Sequence, residues 1–244
     1  DFPLQWSYAR DVRRRAVSQA QEAVFELGHH PSIITWCAHN EPAATNIDLR
    51  DNQPRWKNAA RYLVGQQVPS WNKNILDRWV KRAFEKDDDT RPTIAHSGVM
   101  PHLPEINGSD SHLYFGWYHG DEHEFPAFAA AFPRMVRFVS EFGAQAIPES
   151  SEFIDSSAWP VLDWENLENK FGMQRGNFEN HVPVAEFDSF DDWRLATQVY
   201  QADVIRYHIE TLRRLKYRPT GGFCVFALND AMPMISWSVL DHQR

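Results

Sequence analysis

Two cysteines in 244 residues, Cys37 and Cys224, are too few for a disulfide framework. Each sits inside an apolar run, where a buried free thiol is the ordinary state. No apolar stretch reaches the ~18 to 20 residues of a membrane-spanning helix, no signal peptide opens the chain, and no membrane partner is expected. Positive charge is also short: 25 Lys and Arg stand against 33 Asp and Glu, a formal net charge of −8. The basic residues fall in small groups such as Arg13-Arg14-Arg15 and Arg213-Arg214 on expected helix surfaces, a solvated pattern that argues against a nucleic-acid partner. An initiator Met is missing as well; the chain opens Asp1-Phe2-Pro3-Leu4-Gln5-Trp6 and is expected to be a segment of a longer polypeptide.

Aromatic residues are plentiful at 14%, within a 43% apolar share. Ten Trp, sixteen Phe and seven Tyr suit stacking on sugar faces and equally suit a large core. Apolar spacing predicts helices over Asp11 to Leu27, Trp71 to Phe84, a short one over Glu124 to Arg134, and Phe190 to Tyr217. Strands are predicted at Ile33 to Ala38, Arg91 to Gly98, Leu113 to Tyr118, Arg137 to Glu141 and Phe223 to Leu228. Pro42 to Pro69 and the run from Gly98 through Ser111 read as irregular loops, and Asp87-Asp88-Asp89 as a solvated turn. The weakly periodic stretch 148–189 reads as a long loop, a lid or cleft wall. Strands alternating with helices imply an α/β fold with a parallel sheet and helices outside it.

Two of these strands end in glutamate. Glu41 follows Ile33-Ile34-Thr35-Trp36-Cys37-Ala38-His39-Asn40, and Glu141 follows Arg137-Phe138-Val139-Ser140. A parallel strand hands its last side chain to a cleft, and paired carboxylates in a cleft are the tools of glycosidic bond cleavage.

The run from Gly28 through Asn40-Glu41-Pro42 resembles the acid/base motif of glycoside hydrolase family 2, and Ser140-Glu141-Phe142-Gly143 resembles its nucleophile motif. Leu228-Asn229-Asp230 through Ser236-Trp237-Ser238 resembles the eighth-strand signature of that family's β-mannosidase branch. The resemblance runs from Asp1 to Asp241 and is poorest across 148–189. It implies an α/β fold, the C-terminal portion of a (β/α)8 TIM barrel holding about strands 4 to 8, as one domain over 1–244. Its first strands would lie upstream of Asp1, and β-sandwich domains of the same polypeptide before them. It also implies a retaining hydrolase of terminal β-mannosidic bonds in a mannoside or mannooligosaccharide, with no cofactor. Glu141 would be the nucleophile and Glu41 the acid/base. Asn40 would meet the 2-hydroxyl, and Trp117, Tyr118, His119, Phe226, Asn229 and Trp237 would line the pocket.

One departure stands out. The branch carries Trp-Gln before Leu-Asn-Asp, where this chain has Phe226-Ala227. Phe226 keeps an apolar face but loses the indole N–H, which loosens the sugar assignment toward exo-β-glucosaminidase or another β-glycosidase, or toward a non-catalytic carbohydrate-binding relative. The histidines offer a different class, since His119 and His123 stand at i and i+4 among acids and His29-His30 form a second pair. A third ligand is not evident and Gly120 interrupts any helix between them, so no metal is expected.

Overall fold

The computed structural model describes residues 2–3, 6–42, 60–61, 64–99 and 110–243. Most of the expected irregular stretches 42–69 and 98–111 lie outside these residues. The chain forms two compact units, Asp1–Ser111 and His112–Arg244.

In the first unit, β1 (Phe2–Pro3) precedes α1 (Arg10–Leu27). The small residues Ala16 and Ala20, each 2% exposed, let α1 approach α2 (Asp77–Asp87), which offers Val80, Ala83 and Phe84. Gly28 ends α1 by donating its N–H to Val24 O at 2.8 Å. A Cβ there would lie 2.5 Å from that same oxygen. The predicted strand starts three residues late. Ile33 N–H turns back to His30 O, Ile34 is exposed, and the ladder begins at β2 (Trp36–Cys37). β2 runs parallel to β4 (Thr93–Ile94), with Trp36 opposite Thr93; β3 (His39–Asn40) runs parallel to β1. α2 opens on a π-helical turn, Asn72–Leu76, so the predicted helix is present with an irregular start.

Asp87 and Asp89 in the acidic run at the end of α2 are exposed, as expected of a solvated turn, but Asp88 between them is not. Asp88 is 7% exposed, and its Oδ2 accepts from Trp36 Nε1 at 2.8 Å and from Arg91 Nη1 at 2.7 Å. Thr90 first, then Trp36 and Arg91, hold its carboxyl well below the usual range. Arg91 also donates to the Ile33 and Gly28 carbonyls, so one guanidinium fixes the turn that delivers β2.

The second unit is built on a sheet ordered β5 (Ser111–His112), β6 (Phe138–Glu141), β7 (Gly222–Phe223), with β6 and β7 parallel. The predicted strand Leu113 to Tyr118 is instead a tight turn. The amides of Trp117, Tyr118 and His119 all donate to Tyr114 O, and Gly116 adopts a φ of 81°, open to glycine at no steric cost. The short helix α3 (Phe125–Ala131) follows. Likewise, the last predicted strand leaves its ladder after Phe223. Ala227 and Leu228 pair back onto Trp237 and Leu240, and Cys224 is exposed while Cys37 is half-buried, so neither thiol is sealed in a core.

The stretch 148–189 is structured. It holds α4 (Trp164–Asn169), α5 (Arg175–His181) and a 3-10 turn at Val184–Glu186. Leu162, Leu167, Phe171, Met173, Phe178 and Val182 bury against Trp117 and Trp193. Helices of 6 and 7 residues complete too few turns to register a 3.6-residue period. α6 (Phe190–Arg214) is the long helix the spacing predicts, capped by Ser189, whose Oγ accepts from Asp192 N–H.

His208 on α6 is fully buried between Phe125 at 4.8 Å and Phe142 at 5.1 Å, with Nδ1 2.9 Å from Val204 O. Burial pushes its pKa from 6.5 down to about 4, against a weaker upward pull from the Val204 carbonyl. A folded pKa below the unfolded one means this stabilisation is fully present above pH 6.5 and is lost as pH falls through the folded value. Stability is therefore expected to drop by roughly 3 kcal/mol between pH 7 and pH 4 on account of this group. Denaturant midpoints at both pH values should show a shallower drop in His208→Phe. An equal drop in the variant would mean that His208 is not the titrating group.

Candidate active site

Glu141 ends β6 in the second unit, half-buried, with its side chain 16% exposed. Its Oε2 accepts from Tyr114 Oη at 2.8 Å and lies 3.3 Å from His112 Nδ1, whose side chain is 5% exposed. The Leu113 amide donates to its carbonyl at 2.9 Å. The carboxylate is thus gripped on one oxygen by groups from β5 and the turn after it, which fixes its rotamer.

Gly143 explains the form of the motif around it. Its φ is 152°, and a Cβ there would lie 2.7 Å from Phe226 O, so only glycine lets the two segments come this close. Phe226 N–H in turn donates to Phe142 O at 3.1 Å. The peptide between Phe226 and Ala227 is cis.

An aromatic group extends from Tyr114. Its ring lies 5.1 Å from Tyr118 and 6.5 Å from Trp237, and Trp237 lies 6.4 Å from Tyr118 and 5.7 Å from Phe226. Trp237 Nε1 is buried with no hydrogen-bond partner among the described residues. Phe226 is 36% exposed and gives the group an open apolar face. Tyr118, Phe226 and Trp237 are therefore brought together near Glu141.

The other expected pocket residues are placed differently. Trp117 is 1% exposed, stacked on His181, and its indole N–H is spent on Gln174 Oε1, so it belongs to the core. His119 is exposed, 6.4 Å from the Tyr118 ring, and Asn229 is exposed and bridged to Leu240. Tyr114 and His112 escaped the sequence reasoning. The only signal was a phenol inside an apolar run, which has to find a partner when buried.

Asn40 and Glu41 belong to the first unit. Glu41 takes a φ of 43°, uncommon for a non-glycine residue, and its N–H donates to Ser97 O at 3.0 Å. Ser97 N–H reaches His39 O at 2.9 Å, and the Ser97 hydroxyl donates to Asp110, which is 9% exposed. This ladder past β4 holds the left-handed turn; backbone in such regions clusters at functional sites. Asn40 Oδ1 is buried with no partner among the described residues. His39 is fully buried, Nδ1 2.9 Å from Asn40 O, and burial lowers its pKa against the pull of that carbonyl and the Asn72 side chain.

Within the second unit, ligand atoms of Asp121, Glu122 and His123 lie within 4.8 Å of one another on an exposed turn, with His123 Nδ1 2.7 Å from Asp121 Oδ1. His119 is not among them. Gly120 at a φ of 55° breaks the chain between the two histidines, so they share no helix face.

No family model matches the chain. It is 27% identical over 274 residues to the β-mannosidase of Capra hircus, covering 99% of this chain and 29% of that protein. To β-mannosidase B of Aspergillus flavus it is 27% identical over 246 residues, covering 92% of this chain and 27% of that protein. Among solved structures, the β-D-mannosidase from Dictyoglomus thermophilum matches with a TM-score of 0.66 at 22% identity, covering 98% of this chain and 28% of that one. That likeness shows the fold, and the parallel strands and helices of the two units are consistent with a segment of a TIM barrel. The chain spans less than a third of the curated relatives it matches. It is β-mannosidase-like over nearly its whole length, and the likeness is to a segment of those glycosidases.

Proposed function

We propose that the chain carries the two catalytic glutamates of a retaining glycosidase that removes terminal β-mannosyl groups. The observation that carries this is the half-buried Glu141, held by Tyr114 and His112 beside an aromatic group at the end of a parallel strand. The β-mannosidase likeness supports it. In this proposal the chain supplies barrel strands 4 to 8, and domains upstream help to close the pocket.

Glu141 attacks the anomeric carbon and forms a glycosyl ester, while protonated Glu41 gives its proton to the departing oxygen. Once the ester has removed the charge of Glu141, Glu41 takes a proton from water, which attacks the anomeric carbon and frees the sugar and Glu141. Such pairs work at about 5 to 5.5 Å. The Asn40 side chain bonds the 2-hydroxyl, a contact that strengthens in the oxocarbenium-like transition state. Phe226 and Trp237 offer apolar faces to the ring. No cofactor enters either step.

Mannose differs from glucose in an axial 2-hydroxyl, and a site built to bond it leaves polar groups unpaired when that group points elsewhere. The intact protein, assayed on a panel of aryl β-glycosides, should show its highest kcat/KM on the β-mannoside. A higher value on the β-glucosaminide or β-galactoside would overturn the sugar assignment and leave the retaining mechanism standing.

A further inference from the structure

We propose that Gln174 is a positioning residue that fixes the polarity of the Tyr118 hydroxyl, so that Tyr118 donates its hydrogen bond to an oxygen of the bound glycoside. This rests on the β-glycosidase function proposed above.

The Trp117 indole N–H is a donor and nothing else, and it meets Gln174 Oε1 at 2.9 Å. Asn177 Nδ2 donates to the same oxygen at 3.0 Å. The Gln174 amide can therefore stand only one way round, with its NH2 toward Tyr118 Oη at 2.6 Å. A phenol oxygen that accepts from an amide turns its own hydrogen away from that amide. The backbone of Gln174 is fixed too. Its N–H donates to Gln145 Oε1 at 2.9 Å, and Gln145, 1% exposed on the loop after Glu141, donates to the carbonyls of Gly172 and Ile235. Tyr118 is half-buried and packs against both Tyr114, the donor to Glu141, and Trp237. A buried core tryptophan thus dictates, through one glutamine, which way a phenol in the aromatic group gives its proton.

Gln174→Glu inverts this device at almost constant shape. The carboxylate still accepts from Trp117 and Asn177, but it also accepts from Tyr118 and draws the phenol hydrogen back to itself. In the intact protein, Gln174→Glu and Tyr118→Phe should each lower kcat/KM on an aryl β-glycoside by about tenfold, and the double variant should fall no further than either. The loss should also vanish against one monodeoxy glycoside, the one lacking the accepting oxygen, which a merely structural defect would not produce. If Gln174→Glu proves less stable in thermal unfolding, Tyr118→Phe runs the same deoxy comparison. Parental kcat/KM in Gln174→Glu, losses that multiply in the double variant, or a loss uniform over all deoxy substrates would overturn the proposal. An intact protein that turns over no aryl β-glycoside would overturn the function and this proposal together. An active parent with an unaffected Gln174→Glu overturns this proposal alone.

Discussion

Replacing Glu141 with Ala in the intact protein is expected to lower turnover of an aryl β-mannoside by at least ~10⁴-fold, because a retaining hydrolase without its nucleophile has no glycosyl-enzyme to form. Folding should survive, since Glu141 is only half-buried and Val139 and Phe142, not the carboxylate, pack that end of β6 into the core. The direct readout is covalent. A 2-deoxy-2-fluoro-β-mannosyl fluoride slows both steps by withdrawing electrons beside the anomeric centre, while its good leaving group still allows the first, so the ester accumulates. Mass spectrometry of the digested protein should find the label on the peptide containing Glu141. A label on Glu41 would reverse the roles, and a label elsewhere would remove Glu141 as the nucleophile. The gripping of Oε2 by Tyr114 and His112 gives this prediction its structural basis, because a nucleophile in a fixed rotamer loses little freedom on the way to attack.

That grip was not legible in the sequence, and the reason is local geometry. The run from Leu113 to Tyr118 is apolar enough for a strand, but a turn of three amides closing on one carbonyl has no signature beyond Gly116. A strand there would have alternated Tyr114 and Tyr118 onto one face with Gly116 between them; the turn brings the two rings to 5.1 Å. The long helices were legible because 18 and 25 residues repeat the 3.6-residue period several times. The other predicted strands were located but mostly overdrawn, since an apolar run shows where a strand can lie and only the partner decides how many residues pair. Asp88 departs from its run for a related reason: three consecutive acids look solvated, and only the fold brings Trp36, 52 residues away in sequence, onto the middle one beside its near neighbour Arg91. Glu41 and Glu141 are proposed from their position at strand ends, while Gln174 sits in the stretch with the weakest pattern and becomes visible only through its bonds to Trp117 and Tyr118.

Replacing Glu41 with Ala should produce a loss that depends on the leaving group. For an alkyl or sugar aglycone, whose oxygen must be protonated as it departs, turnover is expected to fall by about 10² to 10⁴, the usual worth of general acid catalysis. For a dinitrophenyl β-mannoside the first step needs no proton, so the ester should form at nearly the parental rate and then wait for a base that is gone. A burst of phenol followed by slow release is the expected time course. Azide should remove the second barrier, because it attacks without surrendering a proton, and the product should be the β-mannosyl azide, retained through two inversions. The structure gives Glu41 a position suited to such work: it stands at the end of a parallel strand, on a left-handed turn held by Ser97 O and backed by the buried Ser97 and Asp110 pair. A side chain that switches between giving and taking a proton benefits from a backbone that does not move between the two steps. Equal losses over all leaving groups, with no azide product, would remove Glu41 from the acid/base role while leaving the labelling of Glu141 to stand or fall by itself.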